Sequence, residues 1–158
     1  RASYIDAGVI RTTGDDFNER LNEIFSGVHR LVDSLAPDAV AIEQVFVARN
    51  ASSALKLGAA RSAAICATFA RAPELAEYAP RAIKQAVTGT GAATKEQVSH
   101  MVRALLGLKI DLTADASDAL AVAICHGNSM QLQSKLARMG ARSRSVICAV
   151  RSWLVRRR

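Results

Sequence analysis

The spacing of apolar residues predicts that helices and strands alternate along most of the chain. Apolar side chains recur every three or four residues through residues 17–35, which is typical of an amphipathic helix. Thr13 and Asp16 resemble a cap at its start. Further helices are predicted at residues 51–70, 80–87, 95–106 and 115–130, and strands at residues 2–10, 38–42 and 75–79. This alternation is typical of an α/β fold.

A carboxylate follows the most apolar of the predicted strands. Residues 38–42 form a short apolar run after Pro37, and Glu43 comes next. An acid at the edge of a core costs several kcal/mol, roughly, unless it is paired or ligates a metal. The alternative is that the strand has simply reached solvent.

Two further acids stand at the start of the last predicted helix. A spacing of three residues places Asp115 and Asp118 on one helical face, where both carboxylates can converge on one cation. The alternative is helix capping, because Asp favours the first turn. Together with Glu43, the pair has the hard oxygen ligands that Mg²⁺ prefers.

Charge is unevenly distributed. Residues 49–109 hold nine basic and three acidic groups, whereas residues 1–48 hold four basic and eight acidic groups. Residues 110–134 hold three acids and no base. A basic block between acidic segments suits a chain that grips phosphates with one part and holds cations with another, although random surface charge remains the alternative.

Length and composition predict one domain with a tail. The chain has 158 residues, and its net charge of +7 comes from residues 135–158, which hold eight basic residues and no acid. We therefore predict a domain at residues 1–134 and a basic tail at residues 135–158 that is disordered or an amphipathic helix. Three cysteines without metal-site spacing predict a reducing cytoplasm, with Cys66 and Cys125 as core residues, and no apolar run is long enough for a membrane span.

Several motifs, taken in order, resemble the RuvC family of Holliday junction resolvases. They are AIEQVF at residues 41–46, SALKLG at residues 53–58, the pair Lys84 and Gln85, and ADASDALA at residues 114–121. The resemblance implies a ribonuclease-H-like fold, with a mixed sheet flanked by helices. It also implies a homodimer that nicks four-way junction DNA symmetrically in recombination and repair, using two Mg²⁺ ions per subunit. Branch-migration proteins of the RuvA and RuvB type are the further partners that it suggests.

The resemblance also assigns residues. Glu43, Asp115 and Asp118 match three of the four catalytic, metal-binding acids of the family. Phe46 matches an aromatic residue that inserts at the junction, and an exposed ring can stack on an unpaired base. The DNA-binding residues that it suggests are Phe46, Arg49, Lys56, Lys84 and Lys95, whereas His29, His100 and His126 are expected at the surface.

One part of the family pattern has no counterpart in the sequence. The first catalytic acid of the family lies on an opening strand, and Asp6 is too close to the first helix to match it. We therefore expect that the family's first two strands are missing, which makes the expected fold N-terminally incomplete and puts two-metal catalysis in doubt. The alternative function is a catalytically impaired fragment or a non-catalytic module that binds junction DNA.

Overall fold

Helices and strands alternate along the part of the chain that the structure describes. In this computed structural model these are residues 2–44, 50–71, 74–137 and 146–148, with side chains described to residue 131. The elements, in chain order, are α1 (Phe17–Leu35), β1 (Ala39–Glu43), α2 (Ala51–Thr68), β2 (Glu74–Tyr78), α3 (Pro80–Thr88), α4 (Lys95–Leu106), α5 (Ala114–Ala137) and β3 (Val146–Cys148). The predicted α/β class is confirmed.

The three strands form one sheet with β1 in the middle. Its order is β2-β1-β3, and both pairings are parallel. All five residues of β1 are buried, as expected for a central strand covered on both faces. The register places Glu43 opposite Tyr78 at the carboxyl end of β2. Where a mixed sheet was expected, the described strands show parallel pairing alone.

The predicted strand at residues 2–10 is wrong. These residues belong to no helix or strand. A strand needs a pairing partner, and residues 2–10 pair neither with β1 nor with the outer edges of β2 and β3. Ile10 instead packs against α1, beside Gly27. The described sheet therefore gains no antiparallel strand from this segment.

Side-chain caps set the starts of two helices. Asp16, not Thr13, caps α1, because its carboxylate accepts from the Glu19 amide at 2.8 Å and Glu19 completes a capping box. Thr13 donates to Glu23 instead, through its amide at 2.8 Å and its hydroxyl at 3.0 Å. The predicted capping box of Thr94 and Gln97 is confirmed at the start of α4, which fixes where Lys95 begins the first turn.

Two groups of buried residues form the core. In one, α1 packs on α2 through small and branched side chains such as Val28, Val32 and Ala64. In the other, α3, α4 and α5 pack together and meet the sheet at Ala41. The second group supports the carboxyl edge of β1, and this is where the acids and lysines singled out in the sequence are found.

The last described strand lies in the predicted basic tail. Val146–Cys148 forms β3, which differs from a disordered or helical tail at these three residues. The predicted domain boundary between residues 134 and 135 lies inside α5, which continues to Ala137. Among the described residues, no helix is long and apolar enough to cross a membrane.

The contact between Ile10 and Gly27 can be tested by a double-mutant cycle. Alanine should gain about 1 kcal/mol over glycine inside a helix. A Cβ at Gly27 would, however, lie 2.7 Å from Ile10 Cγ2. We expect Gly27→Ala to lower the free energy of unfolding in the wild type and to raise it in the Ile10→Ala background. Urea denaturation followed by circular dichroism measures both.

Gly58 provides the matched control. It lies inside α2, and a Cβ there would meet nothing within 4 Å. Gly58→Ala should therefore stabilise both backgrounds by about 1 kcal/mol. If Gly27→Ala also stabilises both backgrounds equally, residues 2–10 do not pack on α1 as described.

Candidate active site

A cleft opens at the carboxyl end of β1. It has a volume of about 170 Å³, and four different elements place charged side chains in its wall. Glu43 comes from β1, Asp118 from α5, Lys84 from α3 and Lys95 from α4. Apolar side chains complete the lining, namely those of Pro80, Ile83, Val98, Ala121 and Val122.

Glu43 is the most deeply placed of these charged groups. It is only 6% exposed, so the strand has not reached solvent at this position. Its backbone continues the parallel pairing, because the next amide, that of Gln44, donates to the Tyr78 carbonyl at 2.8 Å. A carboxylate this well buried is costly unless a cation or a hydrogen-bond donor faces it. The position therefore suits a group that binds cations.

The two acids at the start of α5 are placed differently. Asp118 is half-buried and lines the cleft, whereas Asp115 is exposed and does not line it. Thr113 supplies the side-chain cap of α5, since its hydroxyl accepts from the Ala116 amide at 3.2 Å. Asp115 lies in the first turn, where an acid favours the helix dipole as the capping alternative holds, whereas Asp118 lines the cleft.

Local helix signals position the two lysines. Pro80 opens α3, and Gly89 ends it in the left-handed conformation with φ of 80°, which glycine adopts without strain. Lys84 lies on this short helix and is half-buried. Lys95 is exposed in the first turn of α4. The two ammonium groups thus approach one cleft from neighbouring helices.

The cleft has donors that suit one Mg²⁺. This ion keeps several waters and is commonly held by one or two carboxylates together with phosphate oxygens. Glu43 and Asp118 supply two carboxylates, and the polar wall leaves space for such oxygens. Within the described ranges, no group of three or more His, Cys, Asp or Glu side chains is placed to hold a metal ion. In the described structure, Asp115 is therefore not grouped with Glu43 and Asp118 as a third ligand.

Of the other residues expected to bind DNA, one lies away from the cleft and two lie outside the described residues. Lys56 is exposed on α2 and does not belong to the lining. Phe46 and Arg49 lie outside the described residues, because these omit residues 45–49. Their assignment remains a prediction from the family motif.

Comparison with known proteins identifies the family. The sequence model described as "Crossover junction endodeoxyribonuclease RuvC" matches residues 1–126. Proteins of that name from Methylococcus capsulatus and Acinetobacter baylyi are each 53% identical, over 135 and 138 residues. The matches cover 85% and 87% of this chain and 82% and 76% of those proteins. The chain belongs to the RuvC family.

Solved structures of the RuvC family share the fold. RuvC from Thermus thermophilus superposes with a TM-score of 0.75 at 33% identity, covering 83% of this chain and 80% of that one. The same protein in complex with Holliday junction substrate superposes with a TM-score of 0.78, also at 33% identity, covering 84% and 81%. The expected ribonuclease-H-like α/β fold is therefore confirmed, as is the family that the motifs indicated.

This member of the RuvC family also contains a buried pair that the sequence did not reveal. His126, expected at the surface, is only 2% exposed. Its Nδ1 lies 2.9 Å from the Tyr78 hydroxyl, and the tautomer of His126 decides which of the two groups donates the hydrogen bond. The position of His126 directly after the apolar run of residues 119–125 was the available signal. Cys125 is buried as predicted, but Cys66 is exposed.

Burial also changes how His126 titrates. Loss of hydration lowers the pKa of His126 below its ordinary value of 6.5, although the negative charge of Glu74 opposes this. The Nε2 atom is buried and has no hydrogen-bond partner among the described residues, so a proton placed there would have no acceptor. Burial therefore favours the neutral ring in the folded state.

Stability should accordingly decrease in mild acid. As the pH falls below about 6.5, the unfolded chain binds a proton at His126 that the folded chain does not bind, so the free energy of unfolding decreases. The loss should continue until the pH reaches the lower pKa of the folded state. Urea denaturation at pH 7.5 and 5.5 should show a larger decrease for the wild type than for His126→Asn.

His100 supplies the control for this titration. It is exposed on α4, so His100→Asn should keep the pH dependence of the wild type. An identical pH dependence in the wild type and in His126→Asn would show that His126 is not held neutral by burial.

Proposed function

We propose that this chain is a structure-selective DNA endonuclease that resolves four-way Holliday junctions by metal-dependent hydrolysis of phosphodiester bonds. The observation that supports this function is the convergence of Glu43, Asp118, Lys84 and Lys95 on one cleft. Membership in a family whose named members are crossover junction endodeoxyribonucleases supplies the substrate class. The Thermus thermophilus relative solved with a Holliday junction substrate supports the same substrate.

The charges in the cleft suit a phosphodiester. Lys84 and Lys95 can each hold a backbone phosphate, since ammonium groups pair with phosphate oxygens and release counterions. Their positive charge also offsets the negative charge that develops on the phosphate during hydrolysis. Glu43 and Asp118 would repel the same phosphate by themselves, so these two acids require a cation between them and the DNA.

We assign Glu43 and Asp118 as the ligands of Mg²⁺ and keep Asp115 as a further candidate ligand from the family motif. When bound, the metal activates the attacking water and stabilises the leaving oxygen. Glu43 is held at the end of a buried strand, and Asp118 is held on a long helix. Ligands on such rigid elements are held more precisely than ligands on loops.

The remaining family assignments complete this proposal. Phe46 is proposed to stack on an unpaired base at the junction centre, and Arg49 and Lys56 to hold the flanking backbone. Symmetric nicking of two strands needs two cleavage sites, so we propose that the active form is a homodimer. It would act in recombination and repair in the cytoplasm, beside branch-migration proteins of the RuvA and RuvB type.

Cleavage of a synthetic four-way junction tests the proposal. With Mg²⁺, the wild type should nick the junction symmetrically and leave a linear duplex of the same sequence intact. Asp118→Asn should lose nicking by about a hundredfold or more, because it removes one metal-binding charge while preserving side-chain volume. Denaturing gels of end-labelled strands measure the rate and position of the nicks.

Asp6→Asn is the matched control. Asp6 is an exposed carboxylate near the start of the chain, and its described hydrogen bond is to the Ala7 amide. This substitution should leave nicking unchanged. Junction binding without nicking, in the wild type and with Mg²⁺ present, would favour the alternative of a non-catalytic junction-binding module.

The lysine assignment has its own test. Lys84→Ala should weaken junction binding and reduce the dependence of log K on log salt by about one counterion. Titrations of labelled junction in EDTA at several salt concentrations give this slope. Lys109→Ala, at an exposed position beyond α4, is the control and should keep the slope. An unchanged slope for Lys84→Ala would remove Lys84 from the DNA contact.

A further inference from the structure

The hydrogen bond between Tyr78 and His126 joins the two sides of the candidate active site. Neither residue lines the cleft, so the chemistry proposed above does not use them. The two rings also meet edge to face, with centroids 5.8 Å apart and planes at 67°. This polar contact is almost fully enclosed at His126, in a place where an apolar ring would avoid the cost of burying a polar group.

Tyr78 is fixed to the segment that carries Glu43. It is the last residue of β2 and lies directly opposite Glu43 in the parallel register. Its carbonyl accepts from the Gln44 amide at 2.8 Å, which extends the pairing one residue beyond the acid. A shift of Tyr78 therefore moves the end of the strand that presents Glu43.

His126 is fixed to the element that carries Asp118. Both residues lie on α5, eight positions apart, which corresponds to about 12 Å along a helix. A continuous helix transmits a shift at one of these positions to the other. Two positions further on, the Asn128 side chain donates to the Ala86 carbonyl at 3.2 Å, which holds α5 to the helix of Lys84.

Apolar packing alone does not fix the position of α5 relative to β1 and β2. The residues of α5 that face the core near the cleft are small or branched, including Ala121 and Val122, and such contacts are not directional. The hydrogen bond of 2.9 Å is enclosed on the His126 side, and because it is directional it restricts both sliding and rotation of the helix. Tyr78 is the polar partner that the described residues offer His126 through Nδ1, because the Nε2 atom has no hydrogen-bond partner among them.

We propose that Tyr78 and His126 are positioning residues that set the separation of Glu43 and Asp118, and with it the affinity of the cleft for a divalent metal. The expected effect of this pair on cleavage rests on the proposed function. Its expected effect on metal binding rests on the geometry of the cleft alone. Groups that hydrogen-bond directly to metal ligands commonly alter affinity or activity by about 10- to 100-fold when removed, and a pair that acts through the strand and the helix should lie at the lower end of that range.

The test compares metal binding, junction binding and cleavage in one set of variants. Tyr78→Phe removes the hydroxyl alone and should weaken Mn²⁺ binding, followed by electron paramagnetic resonance, by about tenfold. Single-turnover cleavage at limiting Mg²⁺ should fall by a similar factor. Junction binding in EDTA should stay unchanged, because Lys84 and Lys95 are carried by α3 and α4 and not by β1 or α5. Each variant is measured at a temperature where it is fully folded.

Substitutions of His126 separate positioning from simple packing. The side chain of asparagine places a polar atom near the position of Nδ1, so His126→Asn should retain much of the wild-type Mn²⁺ affinity. His126→Leu fills the space without a hydrogen bond and should behave like Tyr78→Phe. The controls are Tyr4→Phe and His100→Asn, which change the same residue types away from the cleft and should match the wild type.

The outcomes distinguish this inference from the proposed function. Weaker Mn²⁺ binding in Tyr78→Phe and His126→Leu supports the positioning pair even if no variant, including the wild type, cleaves a junction. Wild-type Mn²⁺ affinity in both variants would overturn it, as would a failure of the wild type to bind Mn²⁺. Equal losses in junction binding and metal binding would also overturn it, because they would indicate a general structural defect.

Discussion

The structure depends on the burial of one short strand. Every residue of β1 is enclosed, and the parallel strands β2 and β3 pair with its two edges. Parallel pairing requires long connections that return to the same end of the sheet, and here α2 provides the connection from β1 to β2. The carboxyl ends of the strands consequently lie together at one edge. A polar residue at the end of β1 is thereby delivered to the edge where open α/β sheets bind their ligands.

Burial of Glu43 links the stability of the fold to the chemistry of the cleft. An ionised carboxylate that is 6% exposed loses most of its hydration, and this cost is reduced only by nearby positive charge or hydrogen-bond donors. Lys84 and Lys95 bring positive charge into the same cleft. A divalent cation bound between Glu43 and Asp118 would offset the cost further. The charges that we propose to bind a phosphodiester therefore also reduce the cost of burying Glu43.

Sequence reasoning found the features that have a local signature. The periodicity of α1 and the capping box of α4 depend on residues within a few positions of each other, and Glu43 stood out because it follows an apolar run. The lysines of the cleft were identified through the family motif alone, since an isolated lysine has no pattern that separates it from surface charge. Tyr78 and His126 are 48 residues apart, so their hydrogen bond could be found only once the chain was folded.

The error at residues 2–10 shows what a strand requires besides composition. That segment is rich in apolar and β-branched residues, yet it forms no strand, whereas the short apolar run Val146–Cys148 does. The difference is whether the segment reaches the edge of another strand. Val146–Cys148 pairs with Ala39–Ala41 on the edge of β1 opposite β2, whereas residues 2–10 pair with no described strand. Which segment reaches a strand edge is decided by the folded chain, and a local pattern cannot show it.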